Sequence, residues 1–162
     1  GNVNVIAEDL GFLTDGVRRL LYDSGFPGMK VIQFAFDSRE ESDYLPHNYE
    51  KNCVVYTGTH DNDTLCGWYK VLDPEDLKLS QKYMNNANTP KRQIHWDFIR
   101  LALASVADMC IIPLQDYLGL GSEARINTPS TLGNNWRWRM KQGCLTKELA
   151  DQIRELTTLY GR

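Results

Sequence analysis

Acidic side chains follow each of four apolar, β-branched runs in this sequence of 162 residues. The runs are residues 3–7, 30–36, 53–57 and 109–114, and the acids that follow them are Glu8 with Asp9, Asp37, Asp61 with Asp63, and Asp116. In parallel α/β folds the chemistry lies beyond the carboxyl ends of the strands. We therefore expect these carboxylates to converge on the mouth of one pocket.

Two kinds of chemistry use carboxylates gathered in this way. Retaining glycosyl transfer needs an acid/base carboxyl, a nucleophilic carboxylate roughly 5 Å from it, and groups that hold sugar hydroxyls. A divalent-metal hydrolase uses Asp and His as ligands instead, and His60, Asp61 and Asp63 suit either chemistry. The chain has only 3 histidines, too few for a histidine-rich zinc cage, so the metal hypothesis is the less favoured one.

Aromatic residues near these acids are a second indication of sugar binding. Trp68 and Tyr69 closely follow the His-Asp-Asn-Asp stretch at residues 60–63, and Trp136 and Trp138 alternate with arginines near the end of the chain. Flat aromatic faces stack on sugar rings, but they also fill protein cores. Packing and sugar contact are equally favoured for Trp136 and Trp138 at this point.

Helical patterns separate the four runs and define the elements that must position the acids. The expected N-caps are Thr14, Asp73, Thr89 and Thr146, with Pro74 and Pro90 at first helical positions and Gly25 and Pro27 ending the first helix. Strands that alternate with helices predict an α/β protein with a parallel sheet of about four strands and covering helices. Four strands make half of a (β/α)₈ barrel, so we expect a piece of a larger fold.

The amino-acid composition indicates which kinds of partner the protein is expected to bind and where it is expected to be located. The 18 basic and 21 acidic residues give a net charge of -3, which offers no summed positive field, so neither nucleic acid nor a membrane is expected as a partner. The 4 cysteines contain no C-x-x-C pair. Reduced thiols are therefore expected, which fits a cytoplasmic protein.

Several strings resemble, in order and spacing, the 4-alpha-glucanotransferases of glycoside hydrolase family 77, also called amylomaltases or disproportionating enzymes. Two are specific: Ala-Glu-Asp-Leu-Gly at residues 7–11 and Thr-His-Asp-Asn-Asp-Thr at residues 59–64. The other matching strings are residues 30–36, 45–49 and 118–127, so the resemblance extends over essentially the whole chain.

This resemblance implies a TIM-barrel enzyme that transfers α-1,4-glucan segments between maltodextrins, with glucose among its acceptors, by a retaining double displacement. It makes Glu8 the general acid/base and Asp61 a carboxylate that holds sugar hydroxyls. His60, Asp9 and Asn127 match positions expected to contact substrate, and His47 either faces substrate or fastens its loop. No cofactor and no metal are implied.

The family's nucleophile is an aspartate in an Arg-x-Asp-His motif, and this sequence contains no such motif. We therefore expect residues 1–162 to form a partial catalytic domain, the C-terminal half of the barrel with strands five to eight and the C-terminal helix. Such a chain would be inactive without the missing N-terminal half, and it would self-associate through its open sheet edges. The alternative is a non-catalytic α-glucan-binding module.

Overall fold

The computed structural model describes residues 3–162 and shows a parallel α/β arrangement. Its sheet has the order β1–β2–β3, where β1 is Gly28–Val31, β2 is Cys53–Tyr56 and β3 is Met109–Ile111. Both pairs are parallel, with Val31 opposite Tyr56 and Tyr56 opposite Ile111. The three strands therefore end side by side at one edge, which confirms the α/β class.

The helices lie between and after the strands. They are α1 (Asp15–Ser24), α2 (Leu65–Val71), α3 (Pro74–Met84), α4 (Ile94–Leu103), α5 (Leu114–Tyr117) and α6 (Lys147–Leu159), with 3₁₀ turns at Ile32–Phe34, Pro46–Asn48, Lys91–Gln93 and Ser122–Ala124. The expected N-caps Thr14, Asp73 and Thr146 each accept a backbone N–H of the first helical turn. Gly25 ends α1 in the left-handed conformation, φ 67°.

The core forms where α4 packs against the central strand. Val55 on β2 and Phe98 and Ile99 on α4 are fully buried. Phe98 makes edge contacts with Trp68 of α2, at a ring distance of 5.2 Å, and with Phe36 after β1, at 5.9 Å. These contacts hold α2, and thus the loop before it, against the sheet.

The strand expected at residues 3–7 is absent from the described chain. This segment has no regular secondary structure, and Val3 is 70% exposed. Ala7 donates one backbone hydrogen bond, of 2.9 Å, to Pro27. The next donor along β1, the N–H of Met29, is taken at 2.6 Å by the Asp9 carboxylate instead of a strand carbonyl. Side-chain bonding at this edge therefore replaces the ladder that a fourth strand requires.

Other boundaries also differ from the sequence-based expectation. The run at 30–36 is a strand only to Val31 and then turns into a 3₁₀ helix. The run at 109–114 leaves the sheet before Pro113, which lacks the N–H that a ladder needs. Thr89 caps no α-helix, because a 3₁₀ turn intervenes before α4. Helix α2 is not among the elements expected from the sequence, although Thr64 is a regular N-cap for it.

Residues 3–162 contain no helix with the length and apolar character needed to cross a membrane. All four cysteines are free in the structure, and Cys53 is buried on β2. Burial raises the pKa of both the Cys53 and Cys110 thiols to about 11. Neither thiol is therefore ionised near neutral pH.

Candidate active site

The loop at residues 58–64, called the β2 loop below, carries the two central polar residues of the site. Asn62 Oδ1 accepts hydrogen bonds from the Thr59 N–H, at 2.8 Å, and from the Thr59 hydroxyl, at 2.9 Å. The Asp61 N–H donates to the same hydroxyl oxygen, at 3.2 Å. These local bonds form a compact turn in which His60 and Asp61 project from the carboxyl end of β2.

A cleft of about 710 Å³ lies beyond the carboxyl ends of the three strands. Glu8, His60 and Asp61 all line it. The walls come from the segment after each strand, with Phe34 after β1 and Pro113 after β3. The cleft therefore occupies the position that parallel α/β proteins use for chemistry, and the predicted acid/base and the predicted sugar-binding carboxylate share it.

Asp61 is held from one side only. The Asn127 side-chain amide donates to Asp61 Oδ1 at 2.6 Å, and His60 Nε2 lies 3.4 Å from the same oxygen. Within residues 3–162 no hydrogen bond reaches Asp61 Oδ2, and the side chain is 46% exposed. One carboxylate oxygen is therefore fixed by the protein while the other is open to accept a hydroxyl from the cleft.

Arg125 connects the β2 loop to the segment that carries Asn127. Its guanidinium donates to the Asp61 backbone carbonyl at 2.6 Å and to the Asn127 carbonyl at 2.8 Å. The Asn127 N–H donates in turn to the His60 carbonyl at 3.1 Å. Sequence analysis gave Arg125 no role, although it lies within the matching string at 118–127. Its fork of donors is what holds the two segments together.

Trp136 is an exposed aromatic at the edge of this cluster. Its ring lies 5.1 Å from the His60 ring at an interplanar angle of 36°, and 57% of the residue is exposed. Its backbone has φ 64°, unusual for a bulky residue, and is held by a 2.7 Å hydrogen bond from its N–H to the Ile126 carbonyl. Trp138 is half-buried. The structure thus separates two tryptophans that the sequence left equivalent.

Asp9 lies apart from the other predicted site residues. Its carboxylate bonds the Met29 N–H, and it lines a second cleft, of about 580 Å³, next to β1 and α1. Glu8 lines the cleft beyond the strand ends and Asp9 lines the second one, so the two neighbouring acids face different spaces. The structure brings together Glu8, His60, Asp61 and Asn127, and it places Asp9 at the sheet edge.

The expectation that all the acids converge is wrong for Asp9 and for three further acids. Asp37 forms an ion pair with Arg39 at 2.6 Å, and this contact lowers the pKa of the Asp37 carboxyl to about 2. Asp63 accepts hydrogen bonds from the Ser122 hydroxyl and the Thr64 N–H, at 2.6 and 2.8 Å. Asp116 is only 2% exposed and lies beneath the β2 loop, not at the pocket mouth. The carboxylate oxygens of these three residues accept hydrogen bonds from neighbouring segments of the chain.

His47 contacts Tyr83 of α3. His47 Nδ1 lies 2.9 Å from the Tyr83 hydroxyl and its ring stacks on Tyr83, so it joins its 3₁₀ turn to α3.

Across residues 3–162 no group of three or more His, Cys, Asp or Glu is placed to hold a metal ion. Asp61 and His60 instead contact each other and Asn127.

A parallel sheet with a carboxylate-lined cleft beyond its strand ends defines a ligand-binding or catalytic α/β protein. Comparison with known proteins identifies the family. A family model described as 4-alpha-glucanotransferase, glycoside hydrolase family 77, matches residues 1–146. The chain belongs to this family.

Individual relatives agree with the family match. The chain is 50% identical to a 4-alpha-glucanotransferase of Clostridium butyricum over 163 residues, which cover 100% of this chain and 33% of that protein. It is 47% identical to a chloroplastic/amyloplastic 4-alpha-glucanotransferase of Arabidopsis thaliana, covering 100% of this chain and 28% of that one. The chain therefore spans about a third of the length of the curated relatives it matches. One of these relatives is chloroplastic/amyloplastic, so the cytoplasmic location of this chain stays a prediction.

The fold has a close counterpart among solved structures. An amylomaltase from Streptococcus agalactiae, in complex with acarbose, superposes with a TM-score of 0.93 at 38% sequence identity. The superposition covers 100% of this chain and 32% of that one. The arrangement of strands and helices described above is thus shared with an amylomaltase.

Proposed function

We propose that this chain is the part of a 4-alpha-glucanotransferase that supplies the acid/base and a substrate-holding carboxylate for transfer of α-1,4-glucan segments. The observation that carries the proposal is the shared cleft beyond the strand ends, lined by Glu8, His60 and Asp61. Family membership supports the reaction type, and the acarbose complex of the Streptococcus agalactiae amylomaltase supports a carbohydrate ligand.

Glu8 has the role of general acid and then general base in this proposal. Its carboxyl gives a proton to the glycosidic oxygen as the C1–O bond breaks and a nucleophilic carboxylate bonds to C1. In the second step the Glu8 carboxylate accepts the proton of an acceptor 4-hydroxyl, whose oxygen attacks C1 and releases the nucleophile. Both steps balance without a cofactor, a metal ion or a redox partner.

Asp61 grips the sugar that undergoes this substitution. Its Oδ2 is open to the cleft, while Asn127 and His60 hold Oδ1. A carboxylate that is fixed before the substrate arrives can accept hydrogen bonds from sugar hydroxyls. This contact stabilises the distorted sugar ring more strongly as positive charge develops at C1. Asn127 therefore acts on substrate through Asp61 as well as by any direct contact.

The nucleophile has no candidate among the described acids near the cleft. Asp37 is occupied by Arg39, and Asp63 is satisfied by Ser122 and Thr64. The Arg-x-Asp-His motif is absent from the sequence. The chain by itself is therefore inactive in our proposal, and it requires a second polypeptide segment that brings the nucleophile to the cleft.

The fold proposal is that these three strands are part of a (β/α)₈ barrel and belong to its C-terminal half. The parallel order, the helices between the strands and the cleft at the strand ends all suit a barrel segment. Met109 and Ile111 on the edge strand β3 are 50% and 38% exposed. The remaining strands would cover them, and in their absence two copies of this chain would do so.

Disproportionation of maltotriose tests the proposal. We expect no products from the chain alone, and glucose together with longer maltodextrins when the part of the Clostridium butyricum relative that this chain does not match is added. Glu8→Gln in the same mixture should give none. Products from the chain alone would show that the nucleophile is already present. A mixture that binds maltotriose without converting it would favour the non-catalytic binding module.

A further inference from the structure

Both ends of the β2 loop are tied to one buried carboxyl group. The Thr57 hydroxyl, just before the loop, donates to Asp116 Oδ2 at 2.6 Å. The Leu65 N–H, just after it, donates to Asp116 Oδ1 at 2.8 Å. One side chain from α5 thereby sets the separation of the two residues between which His60 and Asp61 project.

Asp116 occupies a position where a charge is costly. It is 2% exposed, and burial raises the pKa of its carboxyl to about 6, against the lowering effect of the Thr57 and Leu65 hydrogen bonds. Near neutral pH the group is ionised, and both bonds are charge-assisted. An apolar side chain of similar size would avoid the cost of desolvation, so what the carboxylate specifically contributes here is geometry.

The rest of the loop is held at separate points by other groups. Gln33 Nε2 donates to the Asp63 carbonyl at 2.7 Å, and Arg125 holds the Asp61 carbonyl. Arg125 contacts the middle of the loop, whereas Gln33 reaches both ends, because its N–H also donates to the Thr57 carbonyl at 3.3 Å. Asp116 is a second link between the ends, and it holds the Thr57 hydroxyl and the Leu65 N–H, to which Gln33 makes no hydrogen bond within residues 3–162. Loss of Asp116 would remove this second link.

We propose that Asp116 is a positioning residue, which fixes the β2 loop and through it the orientation of His60 and Asp61 toward the cleft. The consequence for carbohydrate binding rests on the function proposed above. The structural part of the proposal, control of the loop through its two ends, does not.

Amide hydrogen exchange measured by NMR on the chain tests this role. Asp116→Ala removes both bonds, Thr57→Val removes one at nearly constant volume, and Asp116→Asn preserves the shape and two hydrogen-bonding atoms. We expect the amides of Thr59, Asp61 and Leu65 to exchange about tenfold faster in the first variant, less so in the second, and close to the wild-type rate in the third. Amides of α6 should change little.

Ser80→Ala is the matched control, because it removes a buried side-chain hydrogen bond, of 2.8 Å to the Leu77 carbonyl, at a place away from the loop. Unchanged loop exchange in Asp116→Ala and Thr57→Val, or acceleration by the same factor in the loop and in α6, would overturn the proposal. Thr57→Val decides the matter alone if Asp116→Ala does not fold.

A maltotriose titration of the same samples separates this inference from the proposed function. We expect wild-type resonances of the β2 loop to shift with maltotriose and the affinity of Asp116→Ala to be about tenfold lower. Failure of the wild type to bind would count against the carbohydrate site in this chain. The exchange rates would still decide whether Asp116 holds the loop.

Discussion

Asn127 and Asp61, 66 positions apart in the sequence, are joined by a 2.6 Å hydrogen bond from the Asn127 amide to Asp61 Oδ1. The bond links the β2 loop to the segment after the 3₁₀ turn at Ser122–Ala124, together with the bonds from Arg125 to the Asp61 carbonyl and from the Asn127 N–H to the His60 carbonyl. The Asn127 amide is uncharged, so it fixes one oxygen of Asp61 by a hydrogen bond and adds no second charge to the site.

Replacing this donor by an acid should make protein stability depend on pH. In Asn127→Asp two carboxylates share one site, so the pKa of one of them rises and one proton is retained at mildly acidic pH. We expect the free energy of unfolding, from urea titrations, to fall by about 1 kcal/mol or more between pH 5 and 8 relative to wild type. Asn88→Asp, which adds the same charge at an exposed position, should show no comparable fall.

Trp136 offers a variant in which ligand binding should weaken without a loss of protein stability. Trp136→Gly removes the ring beside His60 but accepts φ 64° without strain, so the free energy of unfolding should stay unchanged or rise by up to about 1 kcal/mol. We expect about tenfold weaker maltotriose binding by calorimetry, if the ring stacks on sugar. Leu132→Gly, at a fully exposed loop position, controls for added backbone freedom, and equal affinities in both variants would remove Trp136 from the site.

The buried Asp116 carboxyl predicts a pH effect of definite sign. Its pKa is about 6 in the folded chain against an ordinary value of 3.8, so the folded state binds the proton more tightly. Stability from this group is present below pH 3.8 and is lost as the pH rises to about 6, by about 3 kcal/mol. The free energy of unfolding of wild type minus that of Asp116→Asn should therefore fall by this amount as the pH rises from 3.8 to about 6. Asp108→Asn is the surface control. A flat difference would show that Asp116 is not desolvated.

His95 predicts the opposite trend just below neutral pH. Burial lowers the pKa of its imidazole from the ordinary 6.5, and within residues 3–162 its Nδ1 has no hydrogen-bond partner. The unfolded chain therefore binds more protons as the pH drops below 6.5, and the folded state loses stability. Denaturation at pH 7.5 and 5.5 should show a larger loss for wild type than for His95→Gln. Equal losses for wild type and His95→Gln would contradict this prediction.

Self-association should depend on the exposed edge of β3. We expect light scattering of the wild-type chain to give a mass above the monomer at micromolar concentration, and Met109→Lys to shift it toward the monomer, because a charged edge residue opposes strand addition. Val71→Lys changes a residue that is also exposed, on α2, and should leave the mass unchanged. A monomeric wild type would contradict the proposal that copies cover one another's edges.

Local signals in the sequence predicted the elements that depend on local chemistry. Thr14, Asp73 and Thr146 are N-caps because their side chains bond backbone groups two or three residues away, which a sequence pattern can show. The β2 run was nearly correct because a central parallel strand is buried on both faces and stays apolar throughout. The parallel sheet and its cleft followed from these elements.

Features that depend on distant contacts could not be predicted. Asp9 and Asp116 both follow apolar runs, yet one bonds a strand edge and the other lies beneath a loop, according to neighbours about 20 and 50 or more positions away. The strand expected at residues 3–7 has a suitable composition, but pairing needs free donors and acceptors on its neighbour. The pattern does not show that Asp9 takes one of them.

The Asp9 carboxylate has a consequence for how the sheet can grow. By occupying the N–H of Met29 the carboxylate removes one donor from the outer edge of β1, whereas no other strand of residues 3–162 lies beside β3. A strand that pairs with β1 therefore has to accommodate a side-chain hydrogen bond in its ladder. A single acidic residue thus makes the two outer edges of an otherwise repetitive parallel sheet chemically different.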